Sequence, residues 1–161
     1  MQGVVDMNIE RATREDIDEL VELRLAYLTE DSGPLGRGVT ETITRDLPSY
    51  YQRHLGRDLF VYVAKDEGSI VSCAFLLVIE KPMSPAFLTG KTGIVLNVYT
   101  RPAFRRQDHA KRLMERLLDD ARKMELSVVE LKATDDGYPL YLSVGFADDA
   151  SKYHNMRWNN R

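Results

Sequence analysis

The chain has a single cysteine, Cys73, so it can build neither an internal disulfide nor a cysteine-based zinc site. Its setting in Ile70-Val71-Ser72-Cys73-Ala74-Phe75 is that of a packed strand position, not a catalytic thiol. An excess of positive charge is also missing. The formal net charge is −3, and Lys and Arg are interleaved with Asp and Glu, which argues against a nucleic-acid-binding surface. No apolar run approaches the roughly 18 residues of a membrane span. The start, Met1-Gln2-Gly3-Val4-Val5-Asp6, lacks the basic-then-apolar form of a signal peptide, so the expectation is a cytoplasmic protein without membrane contact. Internal repeats and low-complexity tracts are absent. What is present, 161 residues with 43% hydrophobic content, suits one domain over residues 1–161 with a continuous core.

The pattern alternates between strand and helix. Met7–Ala12 reads as a first strand, and Thr13 with Asp16 gives a capping pattern ahead of the helical face Ile17, Leu20, Val21, Leu23 and Leu28. Asp31–Gly38 reads as a loop. A second helix spans about Thr40–Leu55, with Pro48 expected to end or kink it near Leu47. Leu59–Ala64 and Ser69–Ile79 are rich in Val, Ile, Phe and Tyr and are joined by Lys65-Asp66-Glu67-Gly68, which predicts an antiparallel hairpin.

Residues 94–122 are the most informative. A β-branched run through Ile94, Val95, Val98 and Thr100 stops at Arg101-Pro102, a turn containing Arg105, Arg106 and Gln107 follows, and an amphipathic helix begins at once. In that helix Ala110, Leu113, Met114, Leu117, Leu118, Ala121 and Met124 share one face, while Lys111, Arg112, Glu115, Arg116, Asp119 and Arg122 take the other. A helix start after a strand presents unpaired N–H groups and the positive end of the dipole, so it can hold a phosphate or pyrophosphate. Downstream, Leu140-Tyr141-Leu142-Ser143-Val144-Gly145-Phe146 follows another strand-like stretch.

The turn Arg105-Arg106-Gln107-Asp108-His109-Ala110 resembles the acetyl-CoA-binding motif of the GNAT superfamily of N-acyltransferases, Arg/Gln-x-x-Gly-x-Gly/Ala, with Asp108 in place of the central glycine. Leu-Tyr-x-x-x-Gly-Phe at residues 140–146 looks like the closing motif of the same family, and the order of the two adds specificity. The resemblance implies an α/β fold with a mixed, largely antiparallel sheet, helices on both faces and the order β-α-α-β-β-β-α-β-α-β. It also implies transfer of an acetyl group from acetyl-CoA, as cosubstrate and without a metal, to a primary amine of a small molecule or peptide. A homodimer is compatible with it.

By the same resemblance, Arg105, Arg106, Gln107, Asp108, His109 and Ala110 hold the pyrophosphate, and Val98 and Thr100 bind the pantetheine arm through backbone groups. The N–H of Val98 polarises the thioester carbonyl. Asp135 stands where many family members have an asparagine beside that arm, although only Asn donates a hydrogen bond. Tyr141 is the expected general acid: a phenol with a pKa of about 10 keeps its proton at neutral pH and can give it to a thiolate whose acid lies near about 8.5. No acidic residue occurs in Lys91–Thr100, where the family often places its base, which leaves a water relay, Glu30 or Asp31. Tyr27, Glu30 and Asn97 are the acceptor-binding candidates, with Arg24, Tyr50, Tyr51 and Arg53 on the same helices. Asp108 adds bulk and like charge beside the pyrophosphate while capping the helix, and His109 offsets that charge if protonated. On account of Asp108, a degenerate acyl-CoA-binding protein without turnover is the second expectation.

Overall fold

The N–H of Thr13 donates to the Asp16 carboxylate at 2.8 Å, the local bond that turns the chain from a first strand into the first helix. In the computed structural model, which describes residues 8–160, that strand is β1 (Asn8–Arg11) and the helix is α1 (Ile17–Ser32), entered through a 3₁₀ turn at Arg14–Asp16. Then follow α2 (Arg37–His54), β2 (Leu59–Asp66), β3 (Ser69–Glu80), β4 (Lys91–Thr100), α3 (His109–Lys123), β5 (Val128–Glu130) and α4 (Tyr138–Ser143). The strands form one sheet in the order β1-β2-β3-β4-β5, antiparallel except for the parallel β4–β5 pair. This is the expected mixed, largely antiparallel α/β architecture. Among the described residues no helix is long and apolar enough to cross a membrane.

Sequence and structure part in several places. Met7, placed in the first strand, lies outside the described residues. The loop expected over Asp31–Gly38 shrinks to residues 33–36, because α1 continues to Ser32 and α2 begins at Arg37. Helix α2 runs through Pro48 without a break. Proline removes one helical hydrogen bond, and the segment beyond it is held by Tyr51, which is 1% exposed in the core. The hairpin between β2 and β3 closes over Glu67 (φ 48°) and Gly68 (φ 80°), the paired left-handed residues of a tight two-residue turn. The closing strand of the expected order does not form. Among the described residues the chain from 147 to 160 contains no strand, in keeping with a polar start, Ala147-Asp148-Asp149-Ala150-Ser151-Lys152, that offers no apolar alternation.

The sheet separates two apolar layers. On one face α1 and α2 pack Leu20, Leu23 and Tyr51 against Val61, Val63, Ile70, Cys73, Phe75 and Tyr99. On the other, Leu113, Met114, Leu117 and Ala121 of α3 pack against Tyr62, Ala64, Val71, Ala74, Leu76 and Val95. The alternation of partners along β2 and β3 is the period-two pattern of strands covered on both sides. Cys73 is fully buried, and burial pushes its thiol up to about 12, as befits a packing residue.

Helix α3 carries one buried charge. Asp120, 4% exposed, accepts from the Tyr62 hydroxyl at 2.9 Å and from Arg11 at 3.0 Å, tying α3 to β1 and β2. Burial alone would raise its pKa. The bonds from Arg11 and Tyr62 outweigh burial and hold the carboxyl below its ordinary value.

Candidate active site

The site begins with an irregularity in β4. The antiparallel register pairs Leu96 with Phe75 and Tyr99 with Cys73, so Asn97 and Val98 together oppose Ala74. This is a β-bulge, and Asn97 absorbs it at φ 50°. Beyond the bulge β4 leaves its other neighbour: its pairing with β5 covers only Thr92–Val128, Gly93–Val129 and Ile94–Glu130. Among the described residues no strand lies beside that edge of β4 from Val95 to Thr100, which leaves a wedge whose backbone groups are open to pairing with an extended chain.

The turn between β4 and α3 lies at the end of this wedge. Arg106 (φ 61°) and Asp108 (φ 62°) are left-handed, with Gln107 between them outside that region. Alternation of left-handed residues with an ordinary one is the backbone pattern of an anion nest, and it leads directly into the N-terminus of α3. Here the glycine of the family motif has a conformational explanation. Position 108 requires positive φ, and aspartate is among the few other residues that tolerate it. Asp108 is the N-cap residue of α3, yet its side chain makes no cap hydrogen bond, so the expected cap is not formed.

The side chains around the turn are partly committed. Arg105 donates to Glu30 at 2.6 Å and to the Thr100 carbonyl at 2.9 Å, and its guanidinium lies 5.6 Å from the centroid of Tyr99. Glu30, expected at the acceptor, is therefore engaged with the turn. Arg106 has no hydrogen-bond or ion-pair partner among the described residues and is exposed, so its charge is free for an anion. His109 is 5% exposed, and its Nε2 lies 3.2 Å from Gln107 Oε1. Burial first, and Arg112 second, lower its pKa, so it does not supply the positive charge that would offset Asp108 at neutral pH. Ala110 follows in the first turn of α3, where its backbone N–H belongs to the unpaired set.

Tyr141 lies on α4 with its ring packed at 6.0 Å against the edge of Phe146. Gly137 makes room for it: a Cβ there would come within 3.0 Å of Tyr141 Cε2. Tyr141, Val144 and Phe146 join the α3-side apolar layer together with Val98 and Phe104, so the phenol and the bulge border the same layer. Burial raises the Tyr141 pKa, and nearby Tyr27 raises it further, so the hydroxyl stays protonated well into alkaline solution. Asp135, by contrast, is exposed in the turn before α4.

On the α1 side, Arg24 donates to Asn97 Oδ1 at 3.0 Å and lies 5.7 Å from the Tyr27 ring. Tyr27 and Asn97 thus meet at Arg24, and Tyr27 lies within electrostatic reach of Tyr141. A separate cleft of about 520 Å³ opens beside Arg101 and Phe104, lined also by Glu19, Glu22, Asp66 and Glu67. It lacks Tyr141 and is too acidic for phosphates, so it is not the place for this chemistry. Among the described residues no group of three or more His, Cys, Asp and Glu side chains is placed to hold a metal ion.

To a strand pair that parts after Ile94, a nest-like turn and a half-buried phenol nearby, comparison with known proteins adds the family. The Acetyltransferase (GNAT) family profile matches residues 18–146. The chain belongs to the GNAT family. Solved structures agree in fold. A predicted acetyltransferase from Clostridium acetobutylicum, solved with acetyl-CoA, superposes with a TM-score of 0.78 at 24% identity, covering 94% of this chain and 96% of its own. A GCN5-related N-acetyltransferase from Ralstonia eutropha gives 0.78 at 22% identity, with 93% and 98% covered. A ribosomal-protein-alanine N-acetyltransferase from Brucella melitensis gives 0.67 at 24% identity, with 95% and 99% covered. No curated protein matches the sequence.

Proposed function

We propose that this GNAT protein transfers the acetyl group of acetyl-CoA to a primary amine of a small molecule or peptide, by direct attack in a ternary complex. The observation that carries the proposal is the wedge between β4 and β5 ending at the Arg106–Asp108 nest: an edge for the pantetheine amides leads straight to a seat for the pyrophosphate. Acetyl-CoA supplies an activated thioester. Val98 donates its backbone N–H to the thioester oxygen, where negative charge grows as the amine attacks. Thr100 offers its own N–H one pleat further along, its carbonyl being engaged by Arg105.

Tyr141 donates its proton to the departing thiolate. Its raised pKa suits a residue that must arrive at this step protonated. With Glu30 bound to Arg105, Asp31 exposed near the end of α1 and no carboxylate on β4, the proton of the attacking amine leaves through water. Arg106 and the N–H groups at 107–110 bind the pyrophosphate, and His109 holds Gln107 in place. Asp135 contributes at most an acceptor to the cofactor arm.

Against the binding-only alternative, Asp108 adopts the left-handed backbone conformation that glycine serves in the motif, so the objection it raises reduces to the bulk and charge of its carboxylate. A thermal-shift series tests the assignment. A ligand that binds only the folded state stabilises by RT ln(1 + [L]/Kd), so millimolar acetyl-CoA is expected to raise Tm by several degrees, and adenine nucleotides lacking the pantetheine arm by less. An unchanged Tm with acetyl-CoA contradicts the proposal.

A further inference from the structure

The charged groups along the α1–α2 wall are not equally committed. Glu30 is paired with Arg105 at 2.6 Å, and Asp58 with His54 at 2.8 Å. Arg24 has no carboxylate partner among the described residues. Of the five N–H donors of its guanidinium, one reaches the Asn97 side-chain oxygen at 3.0 Å, and the charge otherwise meets the face of Tyr27. The residue is half-buried, in the middle of α1, and within electrostatic reach of Tyr50, Tyr51 and Tyr141's neighbour Tyr27.

A partly desolvated guanidinium with spare donors and no counter-charge is a poor arrangement for stability and a good one for an anionic ligand. Its position is fixed. Asn97 is 5% exposed, is held at φ 50° by the bulge and donates its amide toward Cys73 Sγ at 3.6 Å. Arg24 is thereby anchored to the residue directly before Val98, on the sheet face opposite α3. An acceptor whose amine reaches the carbonyl polarised at Val98 has this guanidinium beside it.

The geometry points to Arg24 as the anion-recognising residue of the acceptor pocket, so that the acceptor is an amine carrying a carboxylate or phosphate close to its nitrogen. This rests on the acetyl-transfer reading proposed above. It disfavours polyamines and other multiply cationic acceptors, whose charge the Arg24 guanidinium would repel.

The test uses matched pairs of amines that differ in the anion: glycine and glycinamide, phenylalanine and phenylalaninamide, phosphoethanolamine and ethanolamine, with spermidine as the cationic control. Release of CoA thiol from acetyl-CoA is measured for the wild type and for Arg24→Gln and Arg24→Lys. Charge-assisted hydrogen bonds of this kind are expected to favour the anionic member about 10- to 100-fold in kcat/KM. The preference is expected to collapse in Arg24→Gln and to survive in part in Arg24→Lys. The amino-acid and phosphoethanolamine pairs separate a carboxylate site from a phosphate site. Tm of the CoA-loaded protein with each pair reads acceptor binding even where turnover is slow, and Tm of the variants alone checks folding. Equal response to both members of every pair, preference for spermidine, or an anion preference that persists in Arg24→Gln overturns the assignment. If acetyl-CoA itself fails to shift Tm, the acetyl-transfer reading falls first and this inference with it.

Discussion

Replacing Asp108 with glycine separates two effects of one side chain. Asp108 sits at φ 62° and ψ 17°, a left-handed conformation in which a Cβ costs on the order of 1 kcal/mol. Its carboxylate returns about 0.3–1 kcal/mol through the N-terminal dipole of α3, and no cap hydrogen bond adds to this. The two nearly cancel, so Asp108→Gly is expected to change Tm by no more than about 2–4 °C. Binding is different. The carboxylate is exposed beside the nest that would receive a doubly charged pyrophosphate, and removing it relieves a screened repulsion of about 1 kcal/mol, roughly a fivefold lower Kd for acetyl-CoA. Titration calorimetry at two salt concentrations measures the gain, which is expected to shrink as salt rises. Equal or weaker binding by the glycine variant would show that the carboxylate points away from the cofactor. A large fall in Tm would show that it caps the helix in solution.

The remaining predictions concern catalysis and stability. Tyr141→Phe is expected to lower kcat about 10²-fold with acetyl-CoA affinity nearly intact, because the phenol acts only on the charge that develops as the carbon–sulfur bond breaks. In the wild type, activity that depends on protonated Tyr141 persists below its raised pKa and is lost as pH climbs through it; the same alkaline limb is expected to be missing from the Phe variant, and wild-type kcat there would remove Tyr141 from the mechanism. Asp120→Asn is expected to destabilise the protein by about 2–3 kcal/mol at pH 7, since Tyr62 and Arg11 lose a charged partner in a buried place. The folded pKa of Asp120 lies below its unfolded value, so its contribution is present above about pH 4 and fades as pH falls through the folded pKa. Denaturant melts that give the same wild-type-to-variant difference at pH 7 and at low pH would refute that assignment.

How much of this was legible in the chain depended on the range of the interactions. Helix α1 and the β2–β3 hairpin follow from local signals, the Thr13–Asp16 cap and the Glu67-Gly68 turn, and both form. The strand–turn–helix unit around Arg105–Ala110 and the segment that carries Tyr141 were legible through short motifs whose geometry is largely local. The bulge at Asn97 was not, because it exists only in the register between β4 and β3, and no residue type in IVLNVYT announces it. The Glu30–Arg105 pair likewise joins positions that meet only when α1 packs beside the turn. Asp120 left a readable trace: it falls three residues after Leu117 on the buried stripe of α3, where a carboxylate needs a partner. Pro48 misled because its local cost was weighed without the tertiary contacts of Tyr51.

The central claim, acetyl transfer rather than acyl-CoA binding alone, is tested most directly by following free CoA thiol when the purified protein is mixed with acetyl-CoA and a panel of amino acids, polyamines, aminoglycosides and peptides with free N-termini. The account predicts thiol release well above the hydrolytic background with at least one amine, matched mole for mole by acetylated product. A raised Tm with acetyl-CoA together with background release across the whole panel would contradict it.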